Sequence, residues 1–210
     1  MLTLETDRLL FTPTPVSVLR ERLFRADFVA AVPLDHAVDA GASQHLAVRF
    51  PEEWPGEDAL AVLPIWLARR ERAPDPGPWC DGVMIRREDR LAVGSMGFKS
   101  PPDPTGTVEI GYSVNRSQRG LGYATEMAGA LVAWGLAQPE VRRVVAECLA
   151  TNRASARVLE KVRFSQVGWR SSEDGDLMLW ERRPTDVGPG RPAEAEGASP
   201  SPGGTRPTPG

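Results

Sequence analysis

The chain has 210 residues, of which 41% are hydrophobic, and this length and composition suit one globular domain with an appendage. A net charge of -3 gives no electrostatic reason to bind nucleic acid or anionic lipid, and the two cysteines, Cys80 and Cys148, lack disulfide-scaffold or metal-site spacing. No signal peptide or membrane-spanning run is recognisable, so the sequence predicts a cytoplasmic protein without a membrane partner.

The first third of the chain predicts few regular elements. Residues 6–13 form a short predicted strand that ends in proline, and a helix is predicted over Val16–Phe24. Glycines, prolines and scattered polar residues interrupt residues 30–58, which predicts loops with one short helix at most. A longer helix is predicted over Glu57–Arg72, bent or restarted at Pro64.

The pattern becomes clearer from residue 79 onward. Gly82–Arg86 and Leu91–Lys99 are short predicted strands joined by a charged turn, which indicates a hairpin. Val108–Val114 alternates apolar residues with polar or small ones, so it predicts a further strand of the same meander.

A glycine-rich segment, residues 115–125, follows this strand directly. It leads into a predicted helix over Glu126–Ala137, and a strand over Val144–Leu149 completes a β-α-β unit. A second helix is predicted over Asn152–Arg163 and a last strand over Leu177–Glu181. Strand, glycine loop and helix in this order present unpaired helix N–H groups to an anion, although an ordinary tight turn is the alternative.

The last 26 residues differ in composition from the rest. They contain six prolines, six glycines and no aromatic residue, with Val187 as the largest aliphatic side chain. Such a segment buries too little surface to offset the entropy of ordering it. The sequence therefore predicts a folded domain over 1–184 and a disordered tail over 185–210.

Two familiar glycine loops do not fit the segment. A Walker A loop ends in Gly-Lys-Ser or Gly-Lys-Thr, and no such tripeptide follows here. A Rossmann fingerprint opens the first β-α-β unit of its domain and has an acidic residue at the end of the next strand. Here a meander comes first, and Glu147 lies within the next predicted strand.

Four segments in chain order resemble the GNAT superfamily of N-acetyltransferases, in particular its RimJ/RimL-like branch. The cofactor motif of that family, Gln/Arg-x-x-Gly-x-Gly/Ala, is matched by Arg119, Gly122 and Ala124. The other segments are similar to the opening strand of the family, its central strand and the helix after its fifth strand. They are residues 6–11, 108–114 and 152–161, and the resemblance spans about residues 4–183.

The resemblance implies an α+β GNAT fold, with flanking helices and a mixed central sheet splayed between its fourth and fifth strands. Acetyl-CoA would lie in the opening as the co-substrate, and no metal is expected. The main chain of the central strand would bind the pantetheine arm, loop N–H groups would hold the pyrophosphate, and Asn152 would orient the cofactor from the far side. The cofactor-binding residues so implied are Ile110, Tyr112, Val114, Arg119, Gly120, Leu121, Gly122, Tyr123, Ala124, Thr125 and Asn152.

The chemistry implied is direct attack of a neutral amine on the thioester, which needs a base for the ammonium and a donor for the leaving thiolate. Glu109, on the central strand, is the candidate base, and a solvated polar residue is the alternative. Ser155 corresponds to the serine that RimL-like members place near the cofactor sulfur, and a local helix-capping role is its alternative. Many family members have a tyrosine further along this helix, where neither Tyr112 nor Tyr123 falls.

Several other residues have both a functional and a structural interpretation. The acidic run over residues 173–176 could bind a cationic amine, although a solvated turn is the more ordinary explanation. Two histidines and two tryptophans could serve the acceptor pocket as bases or lining residues, or else pack. They are His36, His45, Trp54 and Trp79. Arg163 occupies the position where the family usually has glycine before phenylalanine.

The acceptor stays open at this level. The RimJ/RimL resemblance suggests a protein N-terminal amine, and a small-molecule amine such as a drug or polyamine fits the same chemistry. An acyl-CoA-binding module with little turnover and a transferase for another acyl-CoA, such as succinyl-CoA, are the alternative functions. Relatives of this branch often pair, so a homodimer is also open.

Overall fold

The computed structural model describes residues 1–34, 44–72 and 77–184 of the chain. His36 and the predicted tail over 185–210 lie outside these residues. In chain order the elements are β1 (Leu4–Glu5), β2 (Leu9–Pro13), α1 (Val16–Phe24), β3 (Phe28–Leu34), β4 (Gln44–Phe50), α2 (Glu57–Arg72), β5 (Asp81–Arg86), β6 (Leu91–Phe98), β7 (Thr107–Val114), a 3-10 turn (Arg116–Gln118), α3 (Tyr123–Leu136), β8 (Arg143–Leu149), α4 (Arg153–Lys161), β9 (Ser165–Ser172) and β10 (Gly175–Arg182).

The described strands form one mixed sheet with helices on both faces. Its order is β1-β2-β5-β6-β7-β8-β10-β9, and the β3-β4 hairpin joins it where β4 pairs with β6. α3 and α4 cover one face, over a core that includes Ile110, Met127 and Leu159. α1 and α2 cover the other face, over a core that includes Leu19 and Leu63. We label these the cofactor face and the acceptor face, after the positions that the resemblance predicts for the two substrates.

The sheet opens between β7 and β8. These parallel strands pair only through the first residues of β7, and the last of these pairs joins Glu109 to Val145. Further along, β7 remains paired with β6 on its other side as far as Val114. The edge of β7 from Ile110 to Val114 therefore has no strand partner among the described residues. The predicted GNAT sheet, splayed at this position, is confirmed.

The prediction of loops over residues 30–58 was wrong for most of the part of that segment that the structure describes, residues 30–34 and 44–58. β3 and β4 form an antiparallel hairpin that pairs Phe28 with Phe50. Alternate side chains, including Val32 and Val48, are buried against the acceptor-face helices. Pro33 is tolerated because β3 has only β4 as a described neighbour, and an edge strand can lack one N–H donor.

At the ends of the sheet, one predicted strand is shorter than expected and one strand was not predicted. Thr6 to Arg8, predicted as strand, forms the turn between β1 and β2, where the Thr6 N–H donates to the Leu9 carbonyl at 2.9 Å. β9 was not predicted, because most of its residues are exposed and its sequence has no apolar alternation. Backbone pairing with β10 makes it a strand.

Arg163 ends α4 in the left-handed conformation, with φ of 62°. Its N–H donates to the Glu160 carbonyl at 3.0 Å, and the N–H of Phe164 donates to Leu159 at 2.9 Å. These two bonds are those of a Schellman motif, in which glycine is the usual left-handed residue. The helix-ending turn therefore forms despite the departure from the Gly-Phe pattern.

Replacing Arg163 with glycine should raise thermal stability. A left-handed conformation destabilises a residue that has a side chain by about 1–2 kcal/mol. Glycine avoids this strain, but its greater freedom in the unfolded chain offsets about 0.5–1 kcal/mol of the gain in stability. We expect a melting temperature higher by about 1–4 °C in calorimetry. Arg163→Ala is the matched control, because it removes the exposed side chain but keeps the strained Cβ. A glycine variant no more stable than the alanine variant would contradict the assignment.

Candidate active site

The segment between β7 and α3 has the backbone shape of an anion cradle. Gly120 and Gly122 have φ of 80° and 85°, a region that L-residues rarely adopt. Gly122 is the N-cap of α3 and has no side chain with which to accept from the first-turn N–H groups. The N–H groups of Tyr123, Ala124 and Thr125 therefore depend on another partner, and phosphate oxygens suit them.

α3 begins at Tyr123, about one turn before the start predicted at Glu126. Its first backbone bond runs from the Glu126 N–H to the Gly122 carbonyl at 3.0 Å. Three of the predicted cradle residues thus belong to the helix itself. At this end of the helix the macrodipole adds to the attraction for an anion.

Arg8, in the turn between β1 and β2, holds the cradle from outside. Its Nη1 donates to the Leu121 carbonyl at 3.0 Å and its Nε to Glu126 at 2.7 Å, and its guanidinium lies 4.9 Å from the Tyr123 ring centroid. Burial raises the pKa of Glu126, but hydrogen bonds from Thr6 and Arg8 outweigh this and hold the pKa below its usual value. Sequence reasoning missed Arg8, because no local pattern shows this contact.

Arg119, assigned to cofactor binding by the family motif, folds back on the end of β7. Its Nε donates to the carbonyl of Val114 at 3.1 Å, and the side chain is otherwise exposed beside the loop. The bond ties the loop to the unpaired strand edge. A direct contact of Arg119 with the cofactor stays a prediction.

A pair of hydroxyls spans the opening on the cofactor face. Asn152 is the N-cap of α4, and its Oδ1 accepts from the Ser155 N–H at 3.0 Å. The Ser155 Oγ lies 2.8 Å from the Oη of Tyr112, which also lies 3.3 Å from the Ser155 carbonyl oxygen. This contact joins β7 to α4 across the opening between β7 and β8.

Tyr112 is a residue whose side-chain role sequence reasoning missed. The resemblance implied a role for its main chain only, whereas its side chain reaches Ser155. The available signal was its position on the same strand face as the buried Ile110. Burial raises the pKa of Tyr112 to about 12, although the hydrogen bond with Ser155 acts to lower it, so the phenol stays protonated near neutral pH.

Glu109 lies on the opposite, acceptor face of the splay point. Its carboxylate is ion-paired with Lys99, and its side chain is 29% exposed. Glu147, two residues beyond the Val145 that pairs with Glu109, faces the same way on β8 and bonds Arg170 at 2.5 Å. Two carboxylates, each engaged by a cation, therefore flank the opening, and sequence reasoning had not selected Glu147 for catalysis.

The two tryptophans considered for the acceptor pocket are packing residues. Trp54 is fully buried in the acceptor-face core, and its Nε1 donates to the Gly94 carbonyl at 3.1 Å. Trp79 packs against Phe98 and Trp134, with ring centroids 4.9 and 5.0 Å apart.

The remaining sequence candidates among the described residues are solvent-exposed, whereas Cys148 is a core residue near Tyr112. His45 is exposed on β4, opposite Pro33. Residues 173–176 are exposed at the turn between β9 and β10, as the solvated-turn interpretation expects, and Cys148 is buried in β8. The described part of the chain holds no group of three potential metal-ligating side chains. None of its helices is long and apolar enough to cross a membrane.

Comparison with known proteins gives concordant matches. Residues 29–165 match the family model described as "Acetyltransferase (GNAT) domain". The uncharacterized N-acetyltransferase YjdG of Bacillus subtilis (strain 168) is 30% identical over 167 residues, which cover 78% of this chain and 90% of the relative.

Two solved structures share the fold. The ribosomal-protein-S5-alanine acetyltransferase of Vibrio fischeri has a TM-score of 0.57 at 15% identity, covering 90% of this chain and 100% of that one. RimL, a ribosomal L7/L12 α-N-protein acetyltransferase in complex with coenzyme A, has a TM-score of 0.57 at 15% identity, covering 87% and 98%. The family match, the splayed sheet and the glycine cradle agree: this chain belongs to the GNAT acetyltransferase family and is an acyltransferase.

Proposed function

We propose that the protein transfers an acetyl group from acetyl-CoA to a primary amine, by direct attack within a ternary complex. The observation that carries this proposal is the unpaired edge of β7, which runs from the splay point at Glu109 to the cradle at α3. The edge offers main-chain N–H and C=O groups to a pantetheine arm, as an added strand would use them. The cradle offers helix N–H groups to the pyrophosphate at the end of the same path.

On the acceptor face, we assign Glu109 as the base that accepts the proton of the amine, directly or through one water molecule. The Glu109 side chain faces the opening, where it is ion-paired with Lys99. An α-amino group has a pKa near 8, whereas an alkyl amine has one near 10.4, so an α-amine needs less help from a base. A protein N-terminus fits this weak base best, with small-molecule amines as the alternative acceptor.

On the cofactor face, we assign Ser155 as the residue that stabilises the leaving thiolate. As the amine nitrogen bonds the acyl carbon, the carbon–sulfur bond breaks and negative charge develops on sulfur. The Ser155 hydroxyl donates a hydrogen bond to that sulfur, and water supplies the proton of the released thiol. Asn152 holds the Ser155 backbone through the helix cap, so the hydroxyl is not needed for capping.

The test is calorimetric titration with acetyl-CoA, followed by thiol release with a panel of N-terminal peptides and small amines. Binding with amine-dependent release is expected, with peptides preferred. Succinyl-CoA belongs in the panel, because the cationic Lys99 and Arg170 flank the opening. Binding without release from any donor would replace the transferase with an acyl-CoA-binding module, and absence of binding would overturn the assignment of the site.

A further inference from the structure

We propose that Tyr112 is a positioning residue for the leaving group, which donates to Ser155 and so directs the Ser155 hydroxyl proton toward the cofactor sulfur. This inference rests on the proposed function of Ser155 and adds a second hydroxyl to it. A phenol from the central strand thereby assists the leaving group in a chain that has no tyrosine later on α4.

Either hydroxyl of the pair can donate, so the direction is part of the proposal. The Ser155 Oγ, at 2.8 Å from the Tyr112 Oη, is nearer than the Ser155 carbonyl oxygen at 3.3 Å. A phenol is also a more acidic donor than an aliphatic hydroxyl. The phenol proton is therefore assigned to the shorter contact, with the Ser155 Oγ, and the proton of Ser155 is left for a third partner.

The local backbone is not that third partner. A serine in the first turn of a helix commonly uses its hydroxyl to bond nearby backbone groups. Here Asn152 already accepts from the Ser155 N–H at 3.0 Å, so the cap is satisfied without the hydroxyl. The Ser155 Oγ lies 2.8 Å from a side chain of β7, whose edge is the proposed path of the pantetheine arm.

The protonation state of Tyr112 suits this role. Burial raises its pKa to about 12, so it remains a neutral donor across the range in which amines are acetylated. A hydroxyl that itself receives a hydrogen bond becomes a stronger donor, because chains of hydrogen bonds polarise one another. The pair therefore stabilises developing thiolate without introducing a charge into the opening.

Tyr112→Phe keeps the ring and removes the hydroxyl. We expect kcat about tenfold lower, with KM for acetyl-CoA and the melting temperature nearly unchanged. In a Ser155→Ala background, the same change should have almost no further effect, because the two hydroxyls act as one unit. Additive losses would show that Tyr112 acts independently of Ser155, and an unchanged kcat would overturn the inference.

A second measurement needs no acceptor. The thiolate absorbance of bound CoA, followed against pH, reports the pKa of its thiol. Wild-type protein should lower that pKa relative to free CoA, and Tyr112→Phe should return it upward by about one unit. No difference between the two proteins would overturn the inference while leaving a working transferase intact. A difference in thiol pKa without amine-dependent thiol release would support the inference and contradict the proposed transferase activity. Absence of CoA binding would overturn both.

Discussion

Replacing Gly122 with valine should weaken acetyl-CoA binding about 100-fold. The residue has φ of 85°, and a Cβ built there would lie 3.4 Å from the Arg8 Nη2, on the surface that the phosphates approach. A β-branched side chain both disfavours this backbone conformation and shields the first-turn N–H groups. Loss of one or two charge-assisted hydrogen bonds, each contributing about 1.5–3 kcal/mol, accounts for the expected change in Kd.

The matched control for this variant is Gly175→Val. Gly175 also has positive φ, 119°, but is the first residue of β10, where the nearest atom to a built Cβ is a Leu149 methyl at 3.9 Å. Both variants should lose about 1–2 kcal/mol of stability from backbone strain, and only Gly122→Val should change the calorimetric Kd. Equal affinity in the two variants would remove the cradle from the binding site.

Replacing Ser155 with alanine should lower kcat about 100-fold at constant KM for acetyl-CoA. This is the low end of the usual range for removing one hydrogen-bond donor to developing negative charge, because a thiolate is already a good leaving group. α4 should remain capped, since Asn152 bonds the backbone N–H of residue 155 and not its hydroxyl. Steady-state thiol release with a saturating amine measures the effect.

Two further serine variants interpret that result. Ser155→Thr keeps a hydroxyl and should recover much of the lost turnover. Ser171→Ala removes a hydroxyl that donates to Asp176 at 2.9 Å in the exposed β9-β10 hairpin, and it should leave kcat unchanged. Full activity in Ser155→Ala would return Ser155 to a purely structural role.

The part of the fold that sequence predicted well depends on local patterns. β7, the glycine loop, α3 and β8 follow one another within 43 residues, from Thr107 to Leu149. Alternation marks the strands, and glycines at positive φ mark the loop, because each signal reflects the conformation of the residue that carries it. The same locality explains why Asn152 and Ser155, three residues apart, could be assigned to one helix start.

Only the tertiary structure showed which residues distant in sequence are in contact. The Tyr112–Ser155 contact joins residues 43 positions apart, and the Arg8–Glu126 contact joins residues 118 positions apart. A single sequence has no periodicity at such separations. The pairing of Glu109 with Lys99 likewise depended on the register of β6 with β7, in which Phe98 lies opposite Ile110.

Taken by itself, the sequence determined the family and the splayed sheet, since these follow from short motifs in a set order, and it predicted where the cradle lies. Tertiary structure decided that β3, β4 and β9 are strands, because edge strands with weak alternation are stabilised by their neighbours and by the core beneath them. It also decided which hydroxyls and carboxylates face the opening. A side chain's partners are set by packing, and packing is a property of the whole folded chain.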